Sequence, residues 1–409
     1  MARPGRIVII GAGLAGASAA GSLRDNGFTG EIRLIGQEAH PPYELPPLSK
    51  GLLLGQVDEP DWVHEPDYYA AHEIEHRRGV TAVRLRPADR VVDTDDGEEI
   101  RYDLLLLATG SRPRTLDVPG AHLAGIRTLR TLDDSLALRE DLRRRPRVVV
   151  VGAGWIGCEV AAAARAHGAE VTVVAPEPLP LVRVLGERMG EVFRDLHAEQ
   201  GVTWRLGTGV TGFDGDERVR AVRLSDGASL PADLVVLGVG AAPRLTLAAE
   251  AGLAVTDEVP GGGVAVDERL RTSAPEIYAA GDVAAHHHPR YGRRVRVEHW
   301  ANAKEQGRHV GETLLGSPTP YQATPYFFTD QYDLGMEFRG LARPEDEVVV
   351  RGDLRAREFV AFWLREGHVH AAMNVNTWDD GDALQALVDN QAPVVVEDLQ
   401  EADLPSLIP

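Results

Sequence analysis

An α/β fold with two Rossmann-like dinucleotide-binding domains and a smaller C-terminal domain is predicted by three features of this 409-residue chain. The first runs from Arg6 to Gly36: an apolar strand R-I-V-I-I, the turn G-A-G-L-A-G, a helix-like stretch to about Asn26 and a second strand E-I-R-L-I-G. The second is the return of this grammar at Arg147, as R-V-V-V-V, G-A-G-W-I-G, an alanine-rich helix to about His167 and E-V-T-V-V. The third is T-S-A-P-E-I-Y-A-A-G-D, Thr272 to Asp282, a turn that feeds a short apolar strand ending in Gly-Asp.

Within each turn the glycines have separate tasks. Gly11 makes the tight bend, Gly13 lets the backbone approach a pyrophosphate and Gly16 lets the helix pack on the strand; Gly152, Gly154 and Gly157 repeat the set. The helix that follows presents its positive dipole end to the phosphates. A lone turn of this kind is weak evidence, and the strand before it and the helix after it make it specific. Two copies imply two dinucleotides. Asp93–Gly97 followed by the strand Leu104–Gly110 has its counterpart in Ser225–Gly227 followed by Asp233–Gly240, so a hairpin and a buried strand close each copy. Asp282, at a strand end, is placed to accept hydrogen bonds from a polyol.

Composition narrows the function. A length of 409 residues predicts two to three domains, and 44% apolar residues suffice for real cores. The 43 basic and 62 acidic residues give a formal charge of −19, against general binding to nucleic acid or anionic membranes. The single cysteine, Cys158, forms neither an intramolecular disulfide nor a cysteine-dominated metal site. No export signal is read at Met1–Arg6 and no run reaches membrane-span length, which points to the cytoplasm. The triplet His286-His287-His288 has no evident carboxylate partner, so no metal site is expected. Cys158 is read as a small buried residue, the alternative being a thiolate at a helix start.

These residues resemble the pyridine-nucleotide flavin oxidoreductases over nearly the whole chain. Within that group P-P-Y-E-L-P-P-L-S-K (Pro41–Lys50), R-T-L-D-D (Arg130–Asp134), V-E-H-W-A-N-A (Val297–Ala303) and T-D-Q (Thr329–Gln331) resemble the ferredoxin reductases of haem-monooxygenase and aromatic-ring dioxygenase systems. The resemblance implies an FAD domain at 1–114 and 246–320, an NAD(P)H domain inserted at 115–245, and an α/β C-terminal domain at 321–409. FAD then meets Gly11, Gly13, Ala15 and Gly16, with Gln37 or Glu38 near the adenosine ribose. Lys50, Val80, Ala108, Thr109, Gly110, Arg130, Gly281, Asp282 and Trp300 match other FAD positions. The helix beginning near Trp300 aims its N-terminus at the flavin. The nicotinamide dinucleotide is assigned Gly152, Gly154, Trp155, Ile156, Gly157, Glu159, Glu177, Arg183 and Gly240. By resemblance Lys50 sits beside flavin N5 and pairs with Glu159, and these two are the expected catalytic residues.

Two departures qualify the match, and one absence sharpens it. Ala175 stands where an NADH site usually carries Asp or Glu; Glu177 is the substitute, and Arg183 is the base that would greet a 2′-phosphate. NADH is expected, with NADPH as the alternative. Pro325-Tyr326-Phe327-Phe328 replaces tryptophans common in the family, and core packing and a nicotinamide or flavin wall both remain open for these rings. Neither the C-x-x-x-x-C pair nor the active-site cysteine of the disulfide-reducing relatives is present, so electrons leave to an external acceptor, an iron-sulfur ferredoxin. A quinone reductase is the nearest rival, but Asp379–Pro409 is acidic and holds no Lys or Arg to grip a membrane. The rival from another class is a non-catalytic flavoprotein interaction module. Arg290, Arg293, Arg294 and Arg296, with Lys304 and Arg308, form a candidate patch for an acidic ferredoxin.

Overall fold

A computed structural model describes residues 4–409, and every predicted strand and helix of the two glycine-turn copies forms. The first copy runs β1 (Arg6–Ile10), α1 (Leu14–Asp25), β2 (Glu31–Gly36), β3 (Ile74–Arg78) and β4 (Leu104–Leu107). The second has α2 (Leu132–Leu142), β5 (Arg147–Val151), α3 (Trp155–Ala166), β6 (Glu170–Ala175), α4 (Glu187–Glu199), β7 (Thr203–Leu206) and β8 (Leu234–Leu237). Next come β9 (Ile277–Ala279) and α5 (Trp300–Leu314). The end of the chain holds β10 (Tyr326–Gln331), β11 (Leu334–Gly340), β12 (Glu347–Asp353), β13 (Glu358–Arg365), β14 (His368–Val375) and α6 (Gly381–Asp389).

The fold divides into two units. One comprises residues up to Leu45, Pro60–Arg112 and Ala241–Ala323; the other comprises Pro46–Glu59, Pro113–Gly240 and Thr324–Pro409. The short excursion Pro46–Glu59, which carries Lys50, therefore packs with the second glycine turn and the C-terminal sheet.

In the first unit a parallel sheet has the order β9-β4-β1-β2-β3. Its central strands read as unbroken Ile, Val and Leu runs because helices cover a parallel sheet on both faces, and Ile7 to Ile9 and Leu105 to Leu107 are buried accordingly. α1 is built from Ala, Gly and Ser and is buried from Leu14 to Leu23. Its small side chains admit α5 closely: a Cβ on Gly307 would lie 2.4 Å from the Ala15 carbonyl oxygen, and one on Gly311 2.6 Å from Ser22 Oγ. Ser22 Oγ also donates to the Arg308 carbonyl at 2.8 Å.

The second unit repeats this sheet as β7-β6-β5-β8, with the short strand Ile126–Arg127 at its edge. The predicted hairpin of each copy is a three-stranded antiparallel sheet, Ala82–Arg86/Val91–Thr94/Glu99–Arg101 in one and Val210–Gly215/Val219–Leu224/Ser229–Pro231 in the other. The C-terminal sheet is antiparallel, β10-β11-β14-β13-β12. Alternation along β13 sends Phe359, Ala361 and Trp363 into one core with Phe193 and Leu196 of α4, and Val360, Phe362 and Leu364 into another with Leu384 and Leu387 of α6. Among the described residues no helix is long and apolar enough to cross a membrane.

Candidate active site

At the first glycine turn Gly11 has φ +112°, and a Cβ there would meet the Ala108 carbonyl oxygen at 2.0 Å. A Cβ on Gly16 would meet the Gly11 carbonyl oxygen at 1.9 Å. Around Gly13 an added Cβ meets nothing within 4 Å. Gly11 and Gly16 are thus demanded by the fold itself, whereas Gly13 faces open space where only a ligand would be crowded. The second turn repeats the pattern: Gly152 and Gly157 are closed in by backbone oxygens at 2.3 and 2.1 Å, and Gly154 is open.

The helices behind the turns are prepared for anions. Of the six labelled helices, α2, α4 and α6 carry Asp or Glu in their first turns, while α1, α3 and α5 carry none and have no side-chain cap. An uncapped first turn leaves backbone N–H groups for a ligand, and an acid there would repel a phosphate. The residues present therefore fit a pyrophosphate at each glycine turn.

Other first-unit positions gather at the carboxyl ends of the strands, where open α/β sheets bind ligands. Val80 N–H donates to the Gly36 carbonyl at 3.0 Å, and Tyr43 Oη donates to Glu38 Oε2 at 2.5 Å, so the residues after β2 are held in place. Ala108 to Gly110 follow β4. Gly281 and Asp282 follow β9; Ser111 Oγ donates to Asp282 Oδ2 at 2.7 Å and Asp282 is buried. Gly281 N–H donates to Gln306 Oε1 at 2.8 Å, and the Gln306 amide meets His286 Nδ1 at 3.2 Å. Trp300 Nε1 donates to Glu44, and Lys304 Nζ lies 4.7 Å from the Trp300 ring centroid. Sequence reasoning missed Ser111, Gln306 and Glu44, because each acts on a residue far from it in the chain.

In the second unit Lys50 Nζ and Glu159 Oε1 are 2.8 Å apart. Lys50 follows the 3-10 turn Pro46–Ser49, which Ser135 Oγ of α2 anchors through the Leu48 carbonyl at 2.7 Å. Glu159, in the second turn of α3, is 5% exposed. Ser49 Oγ donates to its Oε2, and Thr329 Oγ1 donates to Oε1 at 2.5 Å, so three donors converge on one carboxylate. That satisfaction allows a charge at this depth. Within the aromatic segment Phe327 packs in the core against Trp155 at 4.8 Å, and the Phe328 ring lies 5.5 Å from Lys50 Nζ. Ile156 leaves 41% of its surface exposed in the first turn of α3. Arg130 N–H donates to Asp134 Oδ2 at 3.0 Å beside the Thr131–Asp134 capping box of α2, and Gly240 lies beyond β8 with φ +96°.

Ala175 closes β6 fully buried, and past it Glu177 Oε1 pairs with Arg183 Nη2 at 2.6 Å. One member suits ribose hydroxyls and the other a 2′-phosphate. Glu177→Ala removes the carboxylate and leaves Arg183 without this partner, so the ratio of kcat/KM for NADH to that for NADPH is expected to fall by roughly tenfold or more, about 1.4 kcal/mol. An unchanged ratio would remove both residues from coenzyme selection.

The arginine patch needs correction. Arg296 has a side chain only 7% exposed and donates to the carbonyls of Asp282 (3.1 Å) and Pro260 (2.8 Å). Arg294 donates to those of Val266 (2.7 Å) and Ala285 (2.6 Å). Arg294 satisfies the carbonyls of buried Val266 and Ala285 and Arg296 that of buried Asp282, so both are poor docking groups, whereas Arg293 and Arg308 are exposed. His286 and His288 turn inward with rings 5.1 Å apart, and burial lowers their pKa values to about 3 and about 4, while His287 is exposed. Among the described residues no group of three His, Cys, Asp or Glu side chains is arranged to hold a metal. Cys158 is fully buried, and burial pushes its thiol well above the usual range, against a thiolate role.

Two open glycine turns on two parallel sheets, each with an uncapped helix, define an oxidoreductase that handles two dinucleotides. The chain belongs to the pyridine nucleotide-disulphide oxidoreductase family, whose model matches residues 5–307, and a reductase C-terminal model matches 326–406. It is 37% identical to putidaredoxin reductase of Pseudomonas putida over 406 residues, covering 98% of this chain and 95% of that one. It is 40% identical to the ferredoxin reductase subunit of 5,5'-dehydrodivanillate O-demethylase from Sphingobium sp., at 97% and 96% coverage. Among solved structures it resembles the ferredoxin reductase for the CYP199A2 system from Rhodopseudomonas palustris, with TM-score 0.94, 37% identity and coverage of 99% and 100%. The reductase in a covalent putidaredoxin reductase–putidaredoxin complex gives TM-score 0.92 at 37% identity, covering 98% of each chain.

Proposed function

We propose that this protein is an FAD-dependent NADH:ferredoxin reductase of the cytoplasm, feeding a haem monooxygenase or a ring-hydroxylating dioxygenase. The observation that carries the reading is the combination of two open glycine turns with a lone, buried thiol. Two dinucleotides can exchange hydride, and no cysteine pair receives the electrons afterwards. The names of the relatives, which are reductases of ferredoxins, support an iron-sulfur protein as the acceptor.

In this reading residues 1–114 and 246–320 hold FAD, 115–245 hold NADH and 321–409 form the C-terminal domain. Bound FAD supplies the exchange between a two-electron donor and one-electron acceptors. The N–H groups of α1 take its pyrophosphate over Gly13, Glu38 or Gln37 its adenosine ribose, and Asp282 its polyol chain. Val80, Ala108, Thr109, Gly110, Arg130 and Trp300 would supply further contacts to it, and the positive end of α5 would favour negative charge on it. NADH lies over Gly154 with its pyrophosphate at the start of α3, beside Trp155, Ile156 and Gly240, and its ribose meets Glu177. Lys50, held by Glu159, orients the nicotinamide and compensates charge beside the hydride path. Much of the rate comes from this placement, and no residue acts as a nucleophile.

Purified holoenzyme tests the reading directly. NADH oxidation should depend on an added [2Fe–2S] ferredoxin and on retained FAD; NADH oxidation that ferredoxin does not stimulate would reject it. Docking is assigned to the exposed Arg293 and Arg308. Changing both to Gln should raise the KM for ferredoxin by roughly tenfold at low salt and flatten its salt dependence, with flavin reduction by NADH unchanged. An unaltered salt profile would exclude this patch.

A further inference from the structure

The hydrogen bonds around Glu159 continue inward along a line whose direction the chemistry dictates. The two hydroxyls and the ammonium that meet Glu159 mark it as an acceptor, so Thr329 Oγ1, at 2.5 Å, spends its proton there. The Thr329 oxygen then accepts from Gln331 Nε2 at 3.2 Å. This fixes the Gln331 amide with Oε1 toward His197 Nε2, 2.8 Å away. An amide oxygen only accepts, so His197 carries its proton on Nε2. Its Nδ1 is the remaining acceptor and lies 3.2 Å from the Tyr332 hydroxyl, which donates. Every proton in the line Tyr332, His197, Gln331, Thr329 points toward Glu159.

Packing holds this line in one arrangement. His197, Gln331 and Thr329 are 0%, 1% and 1% exposed. The imidazole stands edge-on to Trp204 at 5.6 Å and to Tyr332 at 5.1 Å between centroids. Burial pushes its pKa down to about 4, so the ring is neutral at physiological pH, as the single Nε2 proton requires. Thr329 and Gln331 are two apart on β10 and share one face, which brings both hydrogen-bonding groups to α3 and α4. Gln331 also decides what the line does. An amide N–H does not release its proton near neutral pH, so a path that includes it orients groups and carries no protons.

We propose that His197 is a positioning residue, acting through Gln331 and Thr329 to hold the Glu159 carboxylate, and with it the Lys50 ammonium, in the single orientation that hydride transfer uses. This rests on the assignment of Lys50 and Glu159 to the nicotinamide side of the reaction. Bonds aligned head to tail strengthen one another, so the far end of the line stiffens the near end.

The imidazole tautomer and the reaction rate provide separate tests. In wild-type holoenzyme without NADH, 15N-histidine NMR should find His197 protonated at Nε2 and bare at Nδ1; the opposite tautomer would overturn the proposal. In rapid-mixing reduction by NADH, Thr329→Val and His197→Phe should lower the limiting rate about tenfold with the Kd for NADH changed by less than about twofold, whereas Thr329→Ser keeps the rate within about threefold. Wild-type limiting rates in folded, FAD-loaded Thr329→Val would also overturn it. Should His197→Phe not fold, the threonine pair and the tautomer still decide. Failure of NADH to reduce the wild-type protein would instead reject the reductase reading, leaving the tautomer result to stand separately.

Discussion

Lys50→Met is expected to slow reduction of the bound FAD by NADH about a hundredfold while the protein stays folded. Methionine keeps most of the side-chain volume, and Glu159 retains the hydroxyls of Ser49 and Thr329, so the carboxylate is not orphaned. What disappears is the cation 2.8 Å from Glu159 and 5.5 Å from the Phe328 ring centroid. Glu159→Ala should do more harm, because it strips one acceptor from three donors at once. Removing one partner of a buried ion pair costs about 3–5 kcal/mol, and the lysine side chain here is 17% exposed, which favours the lower end of that range. Stopped-flow reduction and thermal unfolding separate the two effects: slow chemistry with a Tm lowered only in part for Lys50→Met, where Ser49 and Thr329 still donate to the carboxylate that has lost its cation, and slow chemistry with a more strongly depressed Tm for Glu159→Ala. A wild-type reduction rate in Lys50→Met would remove lysine from the hydride path.

Gly13→Ala is expected to abolish FAD retention without harming the apoprotein. An added Cβ there meets no protein atom within 4 Å, and φ at Gly13 is −83°, which alanine adopts freely. The apoprotein should therefore keep its stability to within about 0.5 kcal/mol, while a pyrophosphate lying over the turn loses the approach it needs and FAD affinity falls by roughly a hundredfold or more. Gly16→Ala reverses the order of cause: its Cβ would lie 1.9 Å from the Gly11 carbonyl oxygen, so the turn must shift and both stability and cofactor are lost. Unfolding of apo Gly13→Ala measured against its FAD content distinguishes the two. Full FAD occupancy in Gly13→Ala would mean that the first turn does not hold the dinucleotide.

The parts of this molecule that sequence made legible are those written locally. Gly11, Gly13 and Gly16 lie within one turn between a strand and a helix, and the period of the apolar residues on either side announces both. Asp282 was legible for the same reason, since the strand leading to Gly281 is adjacent to it. The pairing of Lys50 with Glu159 joins positions 109 apart and was reached only through resemblance. His197 and Gln331, 134 apart, carried no local signal, because a helix histidine and a strand glutamine are each unremarkable until the fold brings them together. Arg294 and Arg296 misled for a related reason. Charge in a loop suggests a solvated surface, but a guanidinium has five donors, and each of these two spends some of them on two backbone carbonyls.

The central claim is that hydride from NADH leaves as single electrons for an iron-sulfur protein. Anaerobic titration of the holoenzyme with NADH in the presence of excess oxidised [2Fe–2S] ferredoxin measures this most directly. The account predicts flavin that bleaches only transiently and returns to the oxidised form while ferredoxin remains in excess, with two ferredoxins reduced for each NADH consumed. Flavin that bleaches with NADH but leaves the ferredoxin oxidised would contradict it.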